Sequence, residues 1–226
     1  MTQETPTPKK RSVNYISNEQ ALHNYEVVFT NLITQSEIKT AMAEYGYDEA
    51  KVNEGKELYT AARSAYDNNR SEIAQSTAAR TAFDAQADTL FNTYATHRRH
   101  TKVYYRRQPE IIKQLNINGQ LPRAFAARLQ EAQNFYNLLA GTPALLTPLA
   151  TFKITTDTVK EAQKQIDSTL ALRAEYFREK GESQDATKVK DAAFRAIEMW
   201  LSDMFAVARI ALEDTPQLLE ALTKVI

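Results

Sequence analysis

The segments MAEYGYDEAKV (residues 42–52) and LATFKITTDTV (residues 149–159) decide the fold that this sequence predicts. They align without a gap and pair Met42 with Leu149 and Val52 with Val159, so the offset between the two copies is 107. Because self-similarity at a fixed spacing indicates a repeated structural unit, the sequence predicts an internal duplication.

The match extends on both sides of these segments. Downstream, the same offset pairs Pro109 with Pro216. Upstream, Asn31 matches Asn137 at an offset of 106, which predicts one inserted residue in the loop between the helices. Paired prolines at helix junctions favour duplication over a coincidence of helical periodicity.

The domain organisation follows from this repeat. We expect a flexible polar tail over residues 1–16, followed by a single helical domain over residues 17–226. The domain is built from two repeats, at about residues 29–115 and 135–222. Neither repeat alone is predicted to enclose a core, so the two share one.

Composition predicts an all-α fold. The 226 residues include 5 glycines and 7 prolines, far fewer than the turns of a β-sandwich or barrel need. Hydrophobic residues make up 43% of the chain, which is enough for a core. Residues that favour helix fill most of the positions between the few breakers.

Local signals place the helix boundaries. Ser17 with Gln20 forms a capping-box pattern, which opens a helix. Gly46 is predicted to end a short helix in the left-handed conformation, and Asp48 to cap a long one. From Val52, a seven-residue apolar repeat with a polar middle is typical of a coiled coil.

Two arrangements of the long segments fit the pattern. The favoured one bends each segment at its polar middle, near Asn69 or Ser76 in the first copy and at Gly181 in the second. Two helical hairpins then form a four-helix bundle with short helices at one end. The alternative has two unbroken antiparallel helices of about 60 residues each, a length typical of coiled coils, as a shaft between two small helical heads.

Several classes of function lack support in the sequence. The absence of cysteine excludes disulfides and thiolate metal sites, and 28 basic residues balance 28 acidic ones. His97 and His100 have helical spacing, but their basic neighbours repel cations, so no metal or other cofactor is predicted. No apolar run predicts a membrane span or a secretion signal, so a cytoplasmic location is expected. The sequence favours a non-enzymatic role over an enzyme of unknown type.

The most unusual segment is HRRHTKVYYRR, residues 97–107, which carries basic residues without an acid. Basic groups can neutralise phosphates while tyrosines stack on bases, so nucleic-acid binding is one hypothesis. The alternative is that the cations complement the end of a helix dipole. The candidate interaction patch consists of Arg98, Arg99, Lys102, Tyr104, Tyr105, Arg106 and Arg107.

The second repeat carries a different surface at the equivalent place. Arg106 and Arg107 correspond, at an offset of 107, to Glu213 and Asp214. Such opposite charges fit two ends that lie near each other within one molecule. Between molecules they favour head-to-tail contacts, which close a ring or propagate a filament. The sequence therefore predicts a structural or scaffolding protein that acts by self-association, as a homo-oligomer or filament, or by binding a partner. The candidate complementary patch consists of Phe205, Ile210, Glu213 and Asp214.

Overall fold

The computed structural model describes residues 16–223, and this part of the chain is helical without a β-strand. The tail predicted over residues 1–16 lies outside the described residues except for Ile16. The all-α prediction is confirmed. The α-helices are α1 (Asn18–Thr34), α2 (Ser36–Glu44), α3 (Glu49–Tyr104), α4 (Pro109–Gln114), α5 (Phe125–Gly141), α6 (Pro143–Leu146), α7 (Thr156–Ala211) and α8 (Pro216–Thr223), and a 3₁₀-helix spans Thr147–Phe152.

The helix boundaries confirm the duplication. The offset of 107 relates the first residue of α1 to that of α5, and the first residue of α3 to that of α7. The inserted residue predicted from the upstream match is wrong, because the offset of 107 already holds at α1. At that offset Leu32 corresponds to Leu139, and both side chains are fully enclosed.

The turns between the helices repeat in the same way. Gly46 has a φ of 87°, and its equivalent Lys153 has a φ of 62°, so both are left-handed. In each copy the next residue returns its N–H to a carbonyl five positions back, as in a Schellman motif. These bonds join Tyr47 to Met42 at 3.0 Å and Ile154 to Leu149 at 3.2 Å.

The predicted helix starts are also confirmed. The Ser17 hydroxyl accepts a hydrogen bond from the Gln20 N–H at 3.2 Å. The Asp48 carboxylate accepts one from the Lys51 N–H at 2.9 Å. Both side chains satisfy N–H groups that have no partner within the first turn of a helix.

The predicted bends in the long segments are wrong. Helices α3 and α7 each run for 56 residues without a break, through Asn69, Ser76 and Gly181. A glycine inside a helix costs only about 1 kcal/mol relative to alanine, so one glycine does not end so long a helix. The polar middle also has internal partners, since the Asn69 amide donates to the Thr187 hydroxyl at 2.9 Å. The observed helices are those of the alternative arrangement.

The chain forms two compact units, and each contains parts of both repeats. Unit 1 contains the described residues up to Arg70 and those from Asp185 onward, and unit 2 contains Ser71–Gln184. Unit 1 is thus built from α1, α2, α8 and the adjoining parts of α3 and α7. Unit 2 has the equivalent elements α5, α6, the 3₁₀-helix and α4, with the remaining parts of α3 and α7. The prediction of a single domain stays a prediction.

The two repeats share two hydrophobic cores, one in each unit, rather than the single core predicted, and α3 and α7 pack together in both. In unit 1, Trp200 on α7 packs on Phe29 and Tyr47, with ring centroids 5.4 and 5.6 Å apart. In unit 2, Phe83 on α3 stacks on Tyr176 of α7 at 6.2 Å. The amphipathic faces of the short helices complete both cores.

Candidate functional site

The candidate interaction patch lies at the end of α3 in unit 2, and only part of it is on the surface. Arg99, Arg106 and Arg107 are exposed, and within residues 16–223 none of them forms an ion pair. Lys102 is half-buried, and its Nζ donates to the Gly119 carbonyl at 3.0 Å. Burial lowers the pKa of Lys102. The accessible positive charge is therefore concentrated on the three arginines.

Arg98 belongs to the interior of unit 2. It is 8% exposed, and its Nε donates to Glu131 Oε1 at 2.8 Å. The same guanidinium donates to the carbonyls of Ile117 at 3.2 Å and Gly119 at 2.8 Å. The Tyr94 hydroxyl also donates to Glu131, at 2.6 Å. Arg98 thus fastens the loop before α5 to α3 and is not available to a partner.

The two tyrosines of the patch differ in how far they are buried. Tyr105 is 3% exposed, and its hydroxyl donates to the Leu145 carbonyl at 2.8 Å. Tyr104 is 40% exposed and packs edge-on against Tyr105 and Phe152. The nucleic-acid hypothesis needs rings that can stack on bases, and of this pair only Tyr104 presents a ring to solvent.

The candidate complementary patch lies at the end of α7 in unit 1. Phe205 is half-buried and packs against the unit 1 core. Ile210 is 58% exposed, and Glu213 and Asp214 are exposed in the turn that follows α7. Three of the four predicted residues are therefore at the surface.

The turns that follow α3 and α7 share most of their backbone hydrogen bonds. At the end of α3, the Tyr105 N–H donates to the Thr101 carbonyl at 3.0 Å. At the end of α7, the equivalent Leu212 N–H donates to the Ala208 carbonyl at 3.0 Å. The residues that follow α3 and α7 therefore have a similar backbone conformation but carry opposite charges.

The middle of the long helices holds an acidic cluster that the sequence analysis did not single out. Carboxylate oxygens of Glu72, Glu179 and Glu182 lie within 4.8 Å of one another. Burial raises the pKa of Glu179. Arg178 binds Glu179 and also donates to Glu182 at 2.8 Å and to Glu175 at 2.6 Å. Because this guanidinium already binds oxygens of Glu179 and Glu182, we assign no metal to the cluster.

Among the histidines, His97 is half-buried in unit 2. Its Nδ1 lies 3.0 Å from the Tyr136 hydroxyl oxygen. Burial, and to a lesser extent the charge of His100, lower the pKa of His97 below its ordinary 6.5. Its equivalent in unit 1 is Met204, which is fully buried and belongs to the unit 1 core.

This burial predicts a pH-dependent stability of unit 2. Because the unfolded chain binds a proton at His97 more readily, the free energy of unfolding should fall as the pH drops from 6.5 until it passes the folded pKa. The His97→Met/Tyr136→Phe variant installs the residues that unit 1 has at these positions, Met204 and Phe29. It should flatten this slope in urea denaturation between about pH 8 and 5.

The single variant Tyr136→Phe is the matched control for this experiment. It removes the 3.0 Å contact but leaves His97 half-buried, so the slope should persist. An unchanged slope in the double variant would show that another group causes the pH dependence.

No protein-family model matches this chain, and no curated protein or solved structure is significantly similar to it. Among the helices of residues 16–223, none combines the length and the apolar character that crossing a membrane requires. The assignment of function therefore depends on the residues themselves.

Sequence reasoning missed Glu131, which decides the role of Arg98. The available signal was a lone acid on the otherwise apolar face of α5, between Leu129 and Phe135. A buried acid needs a charged or hydrogen-bonding partner, so this position predicts one nearby.

Proposed function

We propose that this chain is a non-enzymatic structural protein whose copies associate head to tail. The end of α3 in one copy, with Arg106 and Arg107, contacts the end of α7 in the next, with Glu213 and Asp214. A heterologous contact of this kind closes a ring or propagates a filament. The cytoplasmic location and the coiled-coil character stay predictions from the sequence.

The observation that supports this proposal is the opposite charge on two equivalent exposed turns. Arg106 and Arg107 are exposed in one turn, and Glu213 and Asp214 are exposed in the other. Complementary charges steer association and select the partner, whereas like charges oppose the contact of an end with a copy of itself. The charge pattern therefore favours contacts between unlike ends.

Exposed apolar side chains flank both charged turns at equivalent positions. Val103 is 51% exposed near the end of α3, and Ile210 is 58% exposed near the end of α7. Apolar area that is removed from water contributes about 25 cal/mol per Å² to association. These residues would supply the attraction that exposed ion pairs alone do not give.

Charge reversal tests the proposal. The variant Arg106→Glu/Arg107→Glu should weaken self-association about tenfold or more, because both ends then carry the same charge. The measurement is the weight-average mass over a range of protein concentrations, by light scattering at low salt. The same change in net charge at Lys164 and Lys180, which are exposed elsewhere, is the control and should leave association unchanged.

A mixture of two oppositely charged variants tests whether the two turns contact each other. The variant Glu213→Lys/Asp214→Lys should also fail to self-associate, but an equimolar mixture of the two variants should form mixed oligomers. A wild-type chain that stays monomeric at every concentration would overturn the proposal. Binding of single-stranded DNA that weakens as salt rises would instead favour the nucleic-acid alternative, through Arg99, Arg106 and Arg107.

A further inference from the structure

Each unit contains a cleft, and the two clefts lie at equivalent positions of the duplication. The unit 1 cleft lies among α1, α2 and the start of α3, and the unit 2 cleft among α5, α6 and the start of α7. Most lining positions coincide at the offset of 107, including the shared pair Val52 and Val159. The same backbone therefore offers two versions of one concave site.

The unit 1 cleft is filled by the chain's own side chains. Its volume is about 150 Å³, and Ile33 and Tyr47 are among the residues that line it. Lys39 Nζ lies 3.4 Å from Glu49 Oε2, so an ion pair joins two further lining residues. This volume is below the range of about 300–1,000 Å³ typical of small-molecule pockets.

The unit 2 cleft is open because smaller or shorter residues stand at the same positions. Ala140 replaces Ile33, Leu146 replaces Lys39, and Ile154 replaces Tyr47. The volume rises to about 380 Å³, which lies inside the range of about 300–1,000 Å³ for small-molecule sites. One copy of the duplicated cleft thus lacks the side chains that fill the other.

Charge distinguishes the two clefts as well. Lys160 carries the single formal charge among the residues that line the unit 2 cleft, and Asn53 stands at this position in unit 1. Lys160 is exposed and has no ion-pair partner among residues 16–223. The unit 1 cleft is instead lined by two acids, Asp48 and Glu49, and two lysines, Lys39 and Lys56, so its formal charges cancel.

From this comparison we propose that the unit 2 cleft binds a small amphiphile with one carboxylate, such as a medium-chain fatty acid. The apolar chain lies against Ala140, Pro143 and Ala150, which are the exposed apolar residues of the lining, and the carboxylate lies at Lys160. The first turn of α7 also lines the cleft at Thr156, but its own acid Asp157 already complements the helix dipole there, so Lys160 is the group that favours the anion. Apolar walls with one placed charge are typical of sites that orient such a ligand.

Two variants test this proposal, with decanoate as the probe and isothermal titration calorimetry as the measurement. Ala140 is exposed, so Ala140→Ile can restore the filling residue of unit 1 without disturbing the core. It should weaken binding about tenfold or more, since a methylene too many in an apolar site costs about that factor. Lys160→Asn should weaken binding about two- to fivefold, the value of an exposed ion pair.

Two controls test whether binding depends on the unit 2 cleft and on the charge of the ligand. Lys56→Gln removes a cation from the unit 1 cleft and should leave decanoate affinity unchanged. Decyltrimethylammonium, with the same chain and opposite charge, should bind at least about twofold more weakly than decanoate, and Lys160→Asn should reduce the difference. Thermal unfolding of each variant checks that it folds.

Three results would overturn the proposal. These are the absence of saturable decanoate binding, equal binding by Ala140→Ile, and equal affinity for the anionic and cationic amphiphiles. Because the cleft and the charged turns share no residue, failure of this proposal leaves the self-association proposal untouched.

Discussion

Replacing Arg98 with alanine should destabilise the protein by about 3–5 kcal/mol, the cost of breaking a buried ion pair from one side. Glu131 is 9% exposed and would be left charged in the interior of unit 2. The Ile117 carbonyl would lose its Arg98 donor, and the Gly119 carbonyl would keep only Lys102 as a donor. Urea denaturation, read as the free energy of unfolding, measures the loss.

Arg99→Ala is the matched control for this prediction. Arg99 is the neighbouring arginine of the same helix, but it is exposed, so its removal should change stability by less than about 0.5 kcal/mol. Equal effects of the two substitutions would contradict the assignment of Arg98 to the core.

The side chains of Tyr94, Arg98 and Glu131 form a hydrogen-bonded network. Replacing all three with apolar side chains of similar shape should lower the free energy of unfolding much less than Arg98→Ala does. The triple variant Tyr94→Phe/Arg98→Met/Glu131→Leu removes every side-chain member of the network, so no charge is left without a partner. Buried ion pairs replaced by apolar residues of similar volume are often neutral in stability. Unit 1 supports two of the three replacements, because Leu201 and Phe205 stand at the positions equivalent to Tyr94 and Arg98, whereas the buried Asn24 stands at that of Glu131.

The duplication and the helix ends could be predicted from the sequence because they depend on local chemistry. A cap such as Ser17 or Asp48 acts on the turn that follows it, and Gly46 acts on its own backbone. The offset of 107 is likewise visible without knowledge of any contact between distant residues.

The continuity of the long helices could not be predicted in the same way. Gly181 followed by Ser183 looks like a helix end and a new start, but the helix continues through both. A local conformational preference of about 1 kcal/mol is too small to end a helix whose residues have partners elsewhere in the chain. The Asn69–Thr187 hydrogen bond joins residues 118 positions apart, which no local pattern reveals.

The candidate interaction patch was predicted only in part for the same reason. Arg106 and Arg107 are exposed, as a charged helix end suggests. Arg98 belongs to the same basic run, but its partner Glu131 lies 33 positions away on α5. Side-chain burial depends on such distant partners, so a basic run alone cannot show which of its members face solvent.

Alanine at Gly55 should change the free energy of unfolding in a direction that depends on Trp200. A Cβ at Gly55 would lie 2.5 Å from Cζ2 of Trp200, which is 8% exposed between other aromatic rings. Overpacking of this kind costs about 1–3 kcal/mol, whereas alanine gains about 1 kcal/mol over glycine inside a helix. Gly55→Ala should therefore destabilise the protein by up to about 2 kcal/mol.

Trp200→Ala should cost about 3–5 kcal/mol, since it leaves a cavity beside Phe29 and Tyr47 in the unit 1 core. In that background the obstacle to a Cβ at Gly55 is gone, so Gly55→Ala should become stabilising by about 1 kcal/mol. Urea denaturation of the two single variants and the double variant measures this reversal as a coupling free energy.

Gly181→Ala is the control for the coupling between Gly55 and Trp200. Nothing lies within 4 Å of a Cβ at Gly181, so alanine there should stabilise the chain by about 1 kcal/mol in either background. If Gly55→Ala had the same effect with and without Trp200, contact with Trp200 would not be the reason that this position requires glycine. At the equivalent positions of unit 2, the larger Ala162 stands for Gly55 and the smaller Thr93 stands for Trp200.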